Sequence, residues 1–431
     1  MDTIKVILIG AGGRGTTYVR FMKQMPDKYQ VVGVAEPIRS RRENIQNMFH
    51  LPEEACFHSW DEILAQPKMA DLAIIATMDE MHTAPALQAI ELGYHLLLEK
   101  PVAQTPEECI AIAQAAEKKG VSVLVCHVLR YTPFYKKVKE LVLKGAIGNI
   151  MSAIAVEGVG DKHQSHSFVR GDWHREDETT PMLIAKCCHD LDIIQWIIDK
   201  PCKKVSSFGE LTYFRPENAP EGAPKRCFEQ YCPARKDCPY SVEKVYLQDD
   251  GNWMKNAVAR EISKEFNPTI EEIKEGLRHT NFGACVFYAN NDVVDHQIVN
   301  MEFAGGVHAT LNMNAFNEGG RYIRLFGTKG ELYANANDTT ITVYDFESRQ
   351  TVKYDVQETE ESIVGGHGGG DEGIVYELYD YLSGSYTGYC AADIDVSVKN
   401  HLIGFAAEAA RHNDTVESVA DYCKRFGFDY M

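Results

Sequence analysis

No stretch of the 431-residue chain approaches 18 consecutive apolar residues, so no membrane-spanning helix is expected. Positive charge is the scarcer sign. The 44 Lys and Arg face 62 Asp and Glu, for a formal net charge of −18. That field repels nucleic acid and anionic lipid, and the short basic turn of Arg39, Arg41 and Arg42 does not offset it. The opening MDTIKVILIG lacks a basic segment followed by an apolar core and a small-residue cleavage site. No short-period repeat is evident. The 12 cysteines are scattered, many within apolar runs, which suits reduced thiols in a cytoplasmic protein better than a disulfide framework.

The composition present, 45% hydrophobic and 25% charged, is that of a globular chain and excludes general disorder. One core rarely grows to 431 residues, so two domains are expected, over 1–130 and 131–431. In the first, apolar β-branched runs at 4–9, 31–35, 71–76, 96–98 and 121–126 alternate with helical patterns at 17–25, 39–49, 82–92 and 106–119. That alternation predicts a parallel sheet covered on both faces. Beyond 130 the texture changes. Helices are expected at 134–143, 183–198, 374–382 and 396–411. Strands at 149–158, 205–214, 297–303, 306–315, 322–327 and 340–344 favour an open, largely antiparallel sheet. The fold class is therefore α/β in the first half and α+β in the second. A Cys-, Pro- and charge-rich insertion fills about 216–291, and 365–373 (GGHGGGDEG) reads as a flexible loop.

The first strand runs into Gly10-x-Gly12-x-x-Gly15, which opens a helix. Gly10 permits the tight turn, Gly12 lets a pyrophosphate approach bare backbone, and Gly15 allows close helix–strand packing. The helix N-terminus then offers free N–H groups to phosphate. Glu36 follows Gly15 by 21 residues, where an acid accepts hydrogen bonds from ribose hydroxyls. It favours NAD over NADP, because a 2′-phosphate would meet a like charge; Arg39, Arg41 and Arg42 soften the preference.

Glu99-Lys100-Pro101 closes a short buried strand, and ligands of such sheets bind beyond the strand ends. Pro101 pins that turn in a position suited to a cis peptide. Helical spacing sets Ala185 and His189 on one face, with Lys186 and Asp192 near it. A histidine there can take a hydroxyl proton near neutrality. A second cluster holds His163, His166, Arg170, Asp172, Trp173 and His174, a mixture suited to a sugar site and equally to an ordinary loop. His163 and His166 are spaced for a transition ion, with His189 or His367 as a third ligand. Cys227, Cys232 and Cys238 admit three readings: reduced thiols packing a polar loop, a structural zinc or iron–sulfur site completed by Cys202 or a histidine, or a local disulfide.

With GAGGRG at 10–15 and EKP at 99–101, the chain resembles the glucose–fructose oxidoreductase / inositol dehydrogenase / rhizopine-catabolism (Gfo/Idh/MocA) family, in a long Cys-containing subgroup. The resemblance implies an N-terminal Rossmann domain and a C-terminal domain whose open sheet makes oligomer contacts, as a dimer or tetramer. It implies an NAD(P)-dependent dehydrogenase acting on a CH–OH group of a sugar, glycoside or polyol. Lys100 matches the family's active-site lysine and His189 its catalytic histidine. The usual aspartate four residues earlier is Ala185 here, with Lys186 beside it as a substitute polar group. Cofactor contacts are expected from Gly10, Gly12, Gly13, Arg14, Gly15, Glu36, Arg41, Thr77, His82, Glu99 and Lys100. Substrate contacts are expected from His163, His166, Arg170, Trp173, Asp190 and Tyr322. One alternative is an NAD-dependent glycoside hydrolase or lyase that oxidises a sugar hydroxyl transiently and then eliminates. Glu157, Asp161, Asp172, Tyr322 or His166 would supply its acid or base. A second alternative is a non-catalytic dinucleotide-binding protein.

Overall fold

The computed structural model describes residues 3–248, 258–356 and 368–430. Its first sheet comprises β1 (Ile4–Ile9), β2 (Tyr29–Ala35), β3 (Cys56–Phe57), β4 (Leu72–Ile75), β5 (His95–Leu98) and β6 (Val123–Val125). All neighbours pair in parallel, in the order β3-β2-β1-β4-β5-β6. The run IKVILI forms β1 because both faces are covered: every residue but Lys5 is buried. Strand order reverses between β1 and β4, which opens a crevice at their carboxyl ends. Thr105 caps the Pro106–Lys119 helix by accepting from Glu108 N, with Pro at its start, and Gly120 ends it at φ +66°.

The second sheet contains β7 (Ile150–Gly158), β8 (Cys202–Glu210), β9 (His296–Phe303), β10 (Val307–Asn314), β11 (Gly320–Gly327), β12 (Gly330–Asn335), β13 (Thr340–Asp345), β14 (Thr351–Asp355) and β15 (Glu417–Ser418). Their order is β14-β13-β12-β11-β7-β10-β9-β8-β15. The β10–β7 pair is parallel and the other pairs are antiparallel. Burial alternates along β9 and β10, so one face packs inward and the other is open. The Ile394–Asn413 helix lies between β8 and the Pro106–Lys119 helix, and one apolar core runs across both sheets. Two smaller clusters organise the insertion. One includes Phe228, Val242 and Leu277, the other Phe214, Tyr240 and Phe287.

Three sequence expectations are corrected. The 183–198 helix is broken into Met182–Ala185 and Cys188–Ile198. The strand expected at 205–214 is displaced to Cys202–Glu210. Within the expected flexible loop, Gly370–Leu382 is already helical. A Cβ on Gly370 would lie 2.2 Å from Val128 O, so glycine here serves close packing. His367 lies outside the described residues.

Candidate active site at the carboxyl edge of the parallel sheet

The glycine turn is shaped for a phosphate ligand. Gly10 has φ +89°, and a Cβ there would lie 2.5 Å from Ala76 O. A Cβ on Gly15 would lie 2.1 Å from Gly10 O. These two glycines are required by packing. Gly12 and Gly13 are different. A Cβ on Gly13 would meet nothing within 4 Å, and one on Gly12 only Arg41 Nη1 at 3.8 Å. Bare backbone thus faces open space at the start of the Gly13–Lys23 helix, where no side chain caps the N–H groups. This arrangement fits a dinucleotide pyrophosphate. Buried Glu36 fixes the turn, accepting from Ala11 N at 2.8 Å and Ile38 N at 2.9 Å.

Glu99 and Lys100 diverge from the end of β5. Glu99 turns into the protein, where Oε1 accepts from Arg14 Nε at 2.7 Å and Tyr18 Oη at 2.6 Å. Arg14 also pairs with Asp371 at 2.7 Å. Burial alone would raise Glu99, but the Arg14 and Lys100 charges and the Tyr18 hydroxyl outweigh it and hold the carboxyl below its ordinary range. Arg14 and Glu99 therefore brace the loop. The Lys100–Pro101 peptide is cis. His82 bridges this turn to the preceding strand end, with Nδ1 2.7 Å from Pro101 O and Nε2 3.2 Å from Thr77 O. The Thr77 hydroxyl donates to Met81 O at 3.0 Å.

Lys100 Nζ donates to Ala185 O at 2.8 Å. That carbonyl ends the Met182–Ala185 segment, where the helix break leaves it without its usual i+4 partner. The bond brings the parallel sheet against Lys186, His189 and Asp190. Lys186 Nζ lies 3.7 Å from Glu157 on β7. Arg321, at the start of β11, contacts Glu157 at 2.6 Å and Asp190 at 2.9 Å. Burial raises Glu157, opposed by Arg321. Burial lowers Lys186, opposed by Glu157 and reinforced by Arg321 and Lys100. Burial and the Lys186 charge push His163 well below its ordinary value, which places it beside the same group. The His189 ring meets His127 edge-on at 5.9 Å, and His127 meets His401 at 5.7 Å. His401 accepts from Val102 N at 3.1 Å, supporting the turn that carries Lys100.

The remaining expected substrate residues have the following partners. His166 stacks on Phe282 at 4.9 Å and reaches Glu261 at 2.7 Å, both in the insertion. Arg170 donates to Ala284 O at 2.8 Å and Tyr240 O at 2.7 Å, beneath the cysteine segment. Trp173 Nε1 donates to buried Asp79 at 3.0 Å, tying the 161–174 segment to the first sheet. Tyr322 is 39% exposed and alternates to the open sheet face. Its neighbour Arg321, which sequence reasoning missed, faces the site. Nothing in the local pattern distinguishes the two phases of that strand.

Cys227, Cys232, Cys238 and Cys285 line one cavity beside Arg170. All four are free thiols. Among the described residues, no group of three or more His, Cys, Asp or Glu is arranged to hold a metal ion. The structural-metal reading of Cys227, Cys232 and Cys238 is therefore not supported, nor is the transition-ion reading of His163 and His166. No described helix is long and apolar enough to cross a membrane.

Comparisons with known proteins agree with this fold. YteT of Bacillus subtilis (strain 168), named as an oxidoreductase, is 25% identical over 399 residues, covering 85% of this chain and 88% of its own. The 2,7-anhydro-N-acetylneuraminate hydratase of Escherichia coli (strain K12) is 26% identical over 203 residues, covering 47% of this chain and 51% of its own. A solved levoglucosan dehydrogenase, in complex with NADH and levoglucosan, shares the fold with a TM-score of 0.68. Its identity is 16%, over 97% of this chain and 100% of that one. The model of an oxidoreductase family NAD-binding Rossmann fold matches residues 4–127, and that of the same family's C-terminal alpha/beta domain matches 139–393. The chain belongs to this Gfo/Idh/MocA family of NAD(P)-dependent oxidoreductases.

Proposed function

We propose that the protein oxidises a CH–OH carbon of a sugar, glycoside or polyol and uses NAD in preference to NADP. The observation that carries this reading is the bond from Lys100 Nζ to Ala185 O, which sets a lysine at the sheet edge against the helix break just before the helix bearing His189. A bound nicotinamide supplies the hydride acceptor there. A ring nitrogen of His189 takes the hydroxyl proton, which must leave as the carbinol carbon is oxidised. Lys100 Nζ exchanges Ala185 O for the substrate oxygen and stabilises the negative charge that develops on it. Asp190, held by Arg321, and Lys186, beside Glu157, orient neighbouring hydroxyls. The buried Glu36 carboxylate supports NAD, since a 2′-phosphate would meet like charge.

A second reading has the same opening step, followed by elimination of a glycosidic substituent, water addition and return of the hydride. The Glu157–Lys186 contact favours it, because burial pushes both groups toward their neutral forms, suited to proton relay. A relative named as a hydratase also supports it. Free sugars, inositols and aryl glycosides offered to the purified protein separate the two. Reduced-nicotinamide absorbance without aglycone selects the dehydrogenase. Aglycone release without net reduction selects the second reading. Silence in both channels across the panel contradicts both. Phe208 and Ile298, opposite each other on β8 and β9, are 67% and 40% exposed on the open sheet face. This supports a homo-oligomer built on that face.

A further inference from the structure

The insertion reaches back to the glycine turn. Its 258–266 segment is fastened at several points. Ser40 Oγ donates to Glu265 Oε2 at 2.6 Å, and Phe266 N donates to Ser40 Oγ at 3.3 Å. Arg41 Nη2 donates to Arg260 O at 3.1 Å. On the far side Glu261 meets His166 at 2.7 Å and Lys264 meets Asp172 at 3.1 Å. The segment therefore spans from the start of the Arg39–Phe49 helix to the 161–174 segment.

Arg41, which donates to this strap at Arg260 O, brings positive charge beside the exposed backbone of the turn. Arg260 lies over the Phe266 ring at 4.5 Å. Burial lowers Arg260, and the neighbouring charges of Arg20 and Arg41 lower it further, so three guanidinium groups share one neighbourhood. Arg41 Nη1 comes within 3.8 Å of a Cβ position on Gly12. Among the described residues, no carboxylate forms an ion pair with Arg20, Arg41 or Arg260. Repelling cations without an anion are unfavourable, and the open space over Gly12 and Gly13 is where an anion would relieve them.

We infer that Arg260 of the insertion, with Arg41 and Arg20, forms an anion clamp that closes over a phosphate of the dinucleotide's adenosine half. The inference rests on the dinucleotide reading above and assigns the insertion a task within it. The clamped phosphate is either the pyrophosphate or a 2′-phosphate, and the ligand series separates them.

Calorimetric titration of the full chain with NAD, NADP, ADP and 2′,5′-ADP tests this for wild type, R260A and R260K. R260A should raise dissociation constants roughly tenfold, the scale of one charge-assisted hydrogen bond, while R260K keeps part of the affinity. The wild-type constant should also rise more steeply with salt than that of R260A. Equal losses for NAD and ADP identify the pyrophosphate; a loss confined to NADP and 2′,5′-ADP identifies the 2′-phosphate. Thermal midpoints without ligand show whether each variant is folded, and R260K carries the test if R260A is not. If the folded variants bind all four ligands within twofold of wild type, the clamp is overturned and the dinucleotide reading stands. If wild type binds none of them, both fall.

Discussion

Lys100 follows a strand of the first sheet and His189 sits on the Cys188–Ile198 helix, with Lys100 bonded to Ala185 O just before that helix, so their roles separate by substitution. H189A should lower turnover by roughly 10²–10⁴-fold, the usual contribution of a positioned acid–base group, with NAD affinity within twofold of wild type. Steady-state rates and calorimetry check both halves. The histidines behind this site make stability depend on pH. Burial pushes His401 down to about 3 and His127 to about 4, and neither ring nitrogen of His127 has a hydrogen-bond partner among the described residues. The unfolded chain protonates its histidines near about pH 6.5, so below that pH it binds protons the folded form does not. Stability is then full above about pH 6.5 and declines as pH falls toward 4, by at most about 1.4 kcal/mol per pH unit per histidine. Urea midpoints measured between about pH 7 and pH 5 should show the decline, and H127Q should flatten it.

At the scale of elements, the site is made by interruptions of regular structure. The break after Ala185 frees the carbonyl that Lys100 takes. The Gly370–Leu382 helix starts hard against the Val128–Tyr131 turn and delivers Asp371 to Arg14. G370A should therefore force backbone apart and cost about 1–3 kcal/mol, read as a lower thermal midpoint. The glycine turn was legible from sequence because a strand, bare backbone and a helix start must occur in that order to hold phosphate. The helix break was not, because the apolar period continues through Lys186 and Cys187. Arg321 was missed because a one-residue change of strand phase exchanges the site face for the open face, and Tyr322 looked equally polar. The partners that hold His166 and Arg170, Glu261 and Ala284, were not legible because they lie roughly a hundred residues away, beyond any local pattern.

At the scale of the whole molecule, one core joins the two sheets, and the insertion is tied to both the Arg39–Phe49 helix and the 161–174 segment. The parallel sheet, the mixed sheet and their order along the chain followed from the alternation of runs. The insertion's docking did not, since it depends on pairings such as Ser40 with Glu265. The open face of the second sheet carries the oligomer prediction. F208E should shift sedimentation toward monomer with the far-UV spectrum unchanged, and an unaltered assembly would place the contact elsewhere. The central claim, that this edge moves hydrogen between a carbinol carbon and nicotinamide, is tested most directly by isotope transfer. NAD-loaded protein is given sugars and polyols deuterated at their carbinol carbons, and the cofactor is examined by mass spectrometry in samples quenched through the course of a single turnover. The account predicts deuterium in the nicotinamide ring for at least one substrate, and none with H189A. Conversion of a substrate by NAD-loaded protein with no label entering the ring would contradict it.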